Sequence, residues 1–586
     1  MTSRNDDFRA RPGRIRHNGA KANPKSFVAQ VLKAARKAGP AIPRTADGSR
    51  SQNSARSRFG RGRGSFSRTR LFSPARRVVV KARIVRHQGR AFRSAPLATH
   101  LAYLKREGVS RDGERGVMFD AGSDQADDRA FAERCQDDRH HFRFIVSPED
   151  AGELTDVRAF TRDLVRQMEA DLGTKLDWVA VDHWNTDNPH VHLLVRGVDE
   201  TGADLVIARD YISRGLRSRA EDLVSIELGP RPEHAIRSAL EREVEIDRWT
   251  RLDIEIRALA DETGFIDLRP GGDHDPEIRR LMIGRLQKLE RMGLAVSANP
   301  GEWTVALDAE RTLRDLSVRS DIIKTMHRAF TEHGQERGIA DFVVEPGDVA
   351  APIIGKQIDR GLHDELTGEA FVVIDGTDGH AHHVRLSGIE AFDTAPPNGG
   401  IVEVRRFGSP DDPHPTLVLA NRSDLDLVGQ VTAPGATWLD HRLLERERMP
   451  LSVGGFGAEV REAMAARTEH LIEEGLAWRQ DQRVVFQRNL LAILRRRELD
   501  TVGAELAAKT GLPYQSTEAA EHVAGIYRQR LMLSSGRFVM IDNGLGFQLV
   551  PWSHEIEKKL GQHIAGVAKS GGGIGWTLGR QRDLGL

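Results

Sequence analysis

Apolar residues along the chain recur with two periods, and the segments they mark alternate. VVVKARIVRH, starting at Val78, reads as a strand. SAPLATHLAYLKREGV follows with Leu97, Leu101 and Leu104 at helical spacing, Ser94 placed to cap it and Pro96 in its first turn. HHFRFIVS is a second strand ending at Ser147. Ser147 is set to cap a helix that opens with Pro148, Glu149 and Asp150 and runs to about Leu172. LDWVAVDHW and HVHLLVRG are two more strands, joined through the turn NTDNP. This order suits an antiparallel sheet covered by helices, so the expected fold class is α+β.

Beyond residue 245 the pattern changes. RWTRLDIEIRALADE is an amphipathic helix. Asp275 and Pro276 open a second, whose stripe is Ile278, Leu281, Met282, Leu286 and Leu289, and Gly293 ends it. LAVSANPGEWTVAL then reads as a two-stranded wing turning at Asn299-Pro300-Gly301, which predicts a winged-helix-like module. Arg285 and Lys288 lie off the apolar stripe and are candidates for phosphate or base contacts. AFVVIDG, HHVRLSG, GIVEVRR and TLVLA predict a small β-rich module. The remainder reads as mainly helical, with a hairpin through Asn543-Gly544. No fixed-period repeat is apparent. The expected organisation is a basic arm over 1–77, a sheet domain over 78–240, the winged-helix-like module over 245–340, the β-rich module over 345–430 and the helical region over 431–586.

Charge changes this picture at one end. The chain's formal charge is +1, yet residues 1–77 carry 20 Lys or Arg against three Asp, so the rest is acidic. The stretch RSQNSARSRFGRGRGSFSRTR is too polar to build a core and is expected to be disordered. A basic arm on an acidic body points to a polyanionic partner, usually nucleic acid. The lone cysteine, Cys135, excludes an internal disulfide and a multi-cysteine zinc site. With no long apolar run and no apolar signal core, no membrane span is expected and a cytoplasmic setting fits.

The chemistry concentrates in VAVDHWNTDNPHVHLLVRG, residues 179–197. On a strand, His190 and His192 point to one side and Val191 and Leu193 to the other. A hairpin would bring His183, at the end of the preceding strand, beside them. Three imidazoles converging from two strands form a facial metal site with open positions. His380, His382 and His383 also contain H-x-H, but no histidine sits on the strand before them, so they are read as surface sheet residues.

At this point the motifs become recognisable. HWNTDNPHVHLLVRG resembles the third motif of conjugative relaxases, tyrosine nucleases of the HUH class, and is most like the mobilisation nucleases related to the T-DNA border endonuclease. HLAYLKREGVSRDG resembles their first motif, which carries the nucleophile on a helix, and the matching residue is Tyr103. HHFRFIVSPED resembles the second motif. GRLQKLERMGLA, ATWLDHRLL and the GFQLVPW segment together resemble a long C-terminal extension of one relaxase subgroup. The resemblance implies a metal-dependent relaxase that nicks and rejoins one DNA strand at a plasmid transfer origin through a 5′-phosphotyrosyl intermediate. It implies a divalent ion, Mg²⁺ or Mn²⁺, on His183, His190 and His192. It also implies single-stranded DNA, a type IV secretion coupling protein and accessory DNA-binding proteins as partners, and passage into the recipient cell with the DNA.

Many relatives have an acidic residue two positions after the first histidine of the third motif. Here the stretch is His183-Trp184-Asn185, so the acidic partner is open between Asp182 and Asp187. Tyr211, with Arg209, Arg214 and Arg217 nearby, is a rival nucleophile. Two other readings stand beside the relaxase: an HUH replication initiator or transposase, and a DNA-binding regulator with an inactive nuclease domain.

Overall fold

The computed structural model describes residues 71–87, 95–186, 188–270, 275–335, 337–344, 351–408, 416–446, 450–517, 520–569 and 573–577. The chain divides into two compact units, Met1–Ile322 and Ile323–Leu586. Both mix helices with antiparallel sheets, so the class is α+β. No described helix is long and apolar enough to cross a membrane. The expected disorder of the basic arm over 1–70 lies outside the described residues. Its last stretch, 71–77, belongs to the fold. Leu71 is buried in the second core of the first unit, and Arg76 pairs with Asp150 at 2.8 Å. One apolar anchor outweighs the polar composition around it.

The first unit opens with a four-stranded antiparallel sheet. Its strands are β1 (Val78–Arg86), β2 (His140–Pro148), β3 (Trp178–His183) and β4 (His190–Arg196), in the order β1-β2-β4-β3. Strand alternation sends Trp178, Ala180, Val191, Leu193 and Val195 to one face, where α3 (Val157–Leu172) and α4 (Leu216–Leu228) cover them. Val179, Val181 and Leu194 face the other way. They pack against Leu97, Leu101 and Leu104 of α1 (Ala95–Leu104) and Phe131 of α2 (Asp128–Arg134). The expected cap of α1, Ser94, lies outside the described residues. Ser147 does not cap α3. The strand runs on to Pro148, and Asp156 caps the helix by accepting from the amides of Arg158 and Ala159.

A second core in this unit joins α5 (Glu233–Glu245), α6 (Arg251–Leu259), α7 (Pro276–Arg291) and a three-stranded sheet. The sheet is β5 (Phe265–Asp267), β7 (Glu302–Val305) and β6 (Ala295–Asn299), in that order. α8 (Ala309–Glu332) follows.

The second unit holds a six-stranded sheet of β8 (Phe342–Val344), β9 (Ile353–Asp364), β10 (Glu369–Gly376), β11 (Ala381–Leu386), β12 (Ile401–Phe407) and β13 (Thr416–Ser423). Helices α9 (Leu427–Val431), α10 (Trp438–Leu444) and α11 (Gly455–Glu473) come next, then the hairpin β14 (Ala477–Gln480) and β15 (Arg483–Phe486), then α12 (Leu490–Thr510). The expectation of a mainly helical region over 431–586 fails beyond α12. A second sheet follows, built from β16 (His522–Leu533), β17 (Gly536–Asp542), β18 (Phe547–Pro551), β19 (His563–Ala568) and β20 (Ile574–Trp576).

The structure also reveals a repeat that the spacing conceals. In α6 the Thr250 side chain accepts from the Asp253 amide, and the Asp253 carboxylate accepts from the Thr250 amide. In α10, Thr437 and Asp440 do the same. Each aspartate then receives a fully buried arginine in a two-pronged pair. Arg285 of α7 sits 2.8 Å from both Asp253 oxygens, and Arg467 of α11 sits 2.9 Å from both Asp440 oxygens. Each arginine spends its remaining N–H groups on carbonyls: Val244, Ile246 and Arg248 for Arg285, and Val431, Ala433 and Gly435 for Arg467. From these arginines the sequences RLQKLERMGLA and RTEHLIEEGLA run in step to Gly293 and Gly475, whose φ values are +73° and +70°. A two-stranded hairpin and a long helix follow in both copies, then a sheet. The sheet orders β13-β12-β9-β10-β11 and β20-β19-β16-β17-β18 are identical. Gly355 and Gly525, near the start of each sheet, mark the same close approach. A Cβ there would meet the carbonyl oxygen of Asp375 at 2.2 Å and of Asp542 at 2.3 Å. The chain from Thr250 to Trp576 is therefore one module built twice. The second copy is shorter between its cap and its arginine and between its long helix and its sheet, which removes any fixed period.

Candidate functional site

β3 and β4 pair with His183 directly opposite His190 and Val181 opposite His192. All three histidines therefore lie on the α1 face of the sheet, as the alternation predicts. They are buried, with ring centroids 4.5–5.3 Å apart. Nε2 of His190 lies 3.2 Å from Nε2 of His192, and the ligand-type atoms of the three residues fall within 4.8 Å of one another.

Hydrogen bonds fix which nitrogen two of the three rings offer. Nδ1 of His190 lies 3.1 Å from the Asn188 carbonyl, and a carbonyl only accepts, so Nδ1 carries the proton and Nε2 keeps its lone pair. Nε2 of His183 donates to the Leu104 carbonyl at 2.8 Å, which leaves Nδ1 as its lone-pair atom. Metal–imidazole bonds are about 2.0–2.1 Å, so two nitrogens bound at a right angle to one ion lie about 3 Å apart. The donor set fits a divalent ion of intermediate softness. The carbonyl partners are the outer hydrogen bonds that such ligands usually make.

The Leu104 carbonyl belongs to the last residue of α1, and Tyr103 precedes it. The helix carrying Tyr103 is thus tied by its C-terminal end to one of the histidines. Tyr103 is half-buried, and the Arg106 guanidinium lies 4.5 Å from its ring centroid. The bond to Leu104 had no signal in the sequence, because it is made by a backbone oxygen.

Asp182 is a correction. Strand alternation points it to the opposite face from His183. There it accepts from Arg158 of α3 at 2.9 Å and from the Trp184 indole at 2.7 Å. It does not join the histidines. Asp187 lies outside the described residues. Tyr211 also belongs to the far face, where it packs against the α3 and α4 core. Its hydroxyl donates to Asp171 at 2.9 Å, and Arg219 grips the same carboxylate. Burial, and then the hydrogen bond to Asp171, push its phenol well above the usual tyrosine range. Of its arginine neighbours, Arg214 pairs with Asp210 at 3.0 Å.

Arg285 is a second correction, since its side chain has no exposure and is fully committed to Asp253 and carbonyls. Lys288 is mostly buried and pairs with Asp247 at 2.7 Å. Neither is presented to a ligand. The histidines at 380–383 are not uniformly surface residues either. His382 and His383 are buried. His382 pairs with Asp378 at 3.0 Å. His383 stacks on Phe371, and burial lowers its pKa to about 3.

A family model described as "Protein of unknown function (DUF3363)" matches residues 282–416 and 414–585, together just over half of the 586 residues. The chain belongs to that family. The match begins within α7 and takes in most of the duplicated region. It leaves the four-stranded sheet and its histidines outside. No curated protein and no solved structure matches the chain.

Proposed function

We propose that this protein is a metal-dependent DNA relaxase: it nicks one strand at a transfer origin, holds the 5′ end on Tyr103 and rejoins it after transfer. The observation that carries this reading is the bond between His183 Nε2 and the Leu104 carbonyl, which joins the tyrosine helix to the histidine cluster. A divalent ion held by His183, His190 and His192 would supply Lewis-acid polarisation of the scissile phosphate; the imidazole donors favour Mn²⁺ over the harder Mg²⁺ that the relaxase resemblance also implies.

The residues themselves divide the remaining work. The Tyr103 oxygen attacks phosphorus and loses its proton. The bond from phosphorus to the 3′ oxygen breaks, and that oxygen leaves as a hydroxyl after taking up a proton. One phosphodiester exchanges for another, so the step is reversible and the strand can be resealed. A free phenol has a pKa near 10, so it attacks poorly unless a cation favours the phenolate. Arg106 is the cation over the Tyr103 ring. Tyr211 is unsuited to the role because Asp171 holds its proton. In this reading the first copy of the repeat contains the winged-helix-like module. Coupling and accessory proteins of a secretion apparatus are partners by the relaxase resemblance.

The test is covalent trapping on a single-stranded oligonucleotide carrying the transfer-origin nick site. Tyr103→Phe is expected to form no protein–DNA adduct, Tyr211→Phe to form it normally, and strong chelator to abolish it until Mn²⁺ or Mg²⁺ is restored. An adduct that persists in Tyr103→Phe or in chelator refutes the reading.

A further inference from the structure

The duplication supplies an internal control. Where the two copies share a scaffold but differ on its surface, the fold does not demand the difference. The hairpin after the buried arginine shows one. In the first copy, β6–β7 carries Val296, the Glu302 that closes its turn, and Leu307 just before α8. In the second, the same positions on β14–β15 and before α12 are Trp478, Arg483 and Arg488. At these three positions apolar and acidic side chains have become aromatic and basic ones, with Asp481 the acidic residue of the second turn.

Register places Trp478 opposite Val485 and Gln480 opposite Arg483, so Trp478, Gln480 and Arg483 share the outward face. Ala477, Val484 and Phe486 turn inward to the module's core. Trp478 is 48% exposed. Nothing in the packing requires an indole there, since Val296 holds the equivalent position at 66% exposure. Arg483 and Arg488 are exposed and make no ion pair among the described residues. Their neighbours Arg479 and Arg497 are engaged by Glu469 and Glu474. In the first copy Glu302 is neutralised by Arg269 at 2.7 Å.

We propose that the β14–β15 hairpin is a binding surface for single-stranded nucleic acid, with Trp478 stacking on a base and Arg483 and Arg488 meeting flanking phosphates. An exposed aromatic beside unpaired cations is the pairing that captures a strand without reading its sequence. That the strand is DNA rests on the relaxase reading. The hairpin's role as a strand contact does not.

The experiment uses the full chain and a fluorescein-labelled single-stranded DNA oligonucleotide carrying the transfer-origin nick site, with anisotropy measured in chelator so that no covalent step intervenes. Trp478→Ala is expected to weaken binding about tenfold, within the range for one stacked base, and Trp478→Phe to restore most of it. Arg483→Ala is expected to lower the slope of log affinity against log salt by about 0.7, the value for one phosphate contact on a single strand. Val296→Ala and Glu302→Gln are expected to change nothing. Affinities of Trp478→Ala and Arg483→Ala within twofold of the parent overturn the proposal, as does an equal loss in Val296→Ala. Adduct formation on the same oligonucleotide, with metal restored, separates the two readings. Loss of anisotropy without any adduct in the parent leaves the hairpin standing and removes the relaxase.

Discussion

At the scale of single residues, the histidine cluster rests on who holds each proton. The Asn188 carbonyl commits His190 to offering Nε2, and the Leu104 carbonyl commits His183 to offering Nδ1. His190→Ala is expected to lose most of the affinity for a spectroscopic probe ion such as Co²⁺, read from its visible absorption. Asp182→Asn separates position from function. It breaks the ion pair with Arg158 on the far face, so stability should fall by about 1–2 kcal/mol while adduct formation stays intact. A collapse of the adduct at unchanged stability would put Asp182 back into the chemistry. The convergence of three histidines was legible in the sequence because strand alternation is strict. The side of Asp182 was legible by the same rule, since it adjoins His183. The link to Leu104 was not legible, because a backbone carbonyl leaves no mark in the residue types.

At the scale of elements, most strands and helices of the first unit follow from periodicity, and the misplacements have physical causes. Asp156 outcompeted Ser147 as a cap because β2 extends through Ser147 and Pro148. After Thr510 the hairpin through Asn543-Gly544 is legible and forms β17–β18, whereas β16, β19 and β20 are not, because Gly525, Gly566 and Gly575 interrupt their apolar runs. Arg285 departs from its pattern for a related reason. A helix position outside the apolar stripe is usually wet, but here a buried aspartate takes it in. Removing either partner leaves a buried charge unpaired, so Arg285→Met and Arg467→Met should each cost about 3–5 kcal/mol, seen as a lower urea midpoint. Equal losses at the two sites are expected if the modules are equivalent. β2 offers a pH test. His141 is buried, donates toward His87 at 2.8 Å and accepts from Arg143 at 3.0 Å. Burial first, and then the charge of Arg143, hold its pKa well below the ordinary histidine value. The unfolded chain takes up a proton near pH 6.5 and the folded chain does not. Stability from this group is therefore complete above that pH and falls by about 1.4 kcal/mol per unit as the pH drops below it. Amide exchange in β2 and β4, corrected for its intrinsic pH dependence, should accelerate between pH 7 and pH 5.

At the scale of the whole molecule, the chain divides its resources unevenly. The histidine sheet occupies one region of the first unit, and the module built twice accounts for most of the remaining described chain. Composition gave no hint of this, because the two copies share little beyond their caps, their buried arginines, their glycines and an apolar pattern. A shared scaffold also creates a hazard during synthesis. Arg467 is shaped to receive Asp440, yet Asp253 presents the same capping box and the same carboxylate. While both modules are incompletely folded, a crossed pair between the copies is chemically as good as the correct one, and tandem repeats misassemble by this kind of exchange. The carbonyls that complete each arginine's shell do not tell the copies apart, because Val244, Ile246 and Arg248 precede Thr250 at the same spacing as Val431, Ala433 and Gly435 precede Thr437. Order of emergence from the ribosome is the safeguard. The first arginine meets its aspartate before the second has been made.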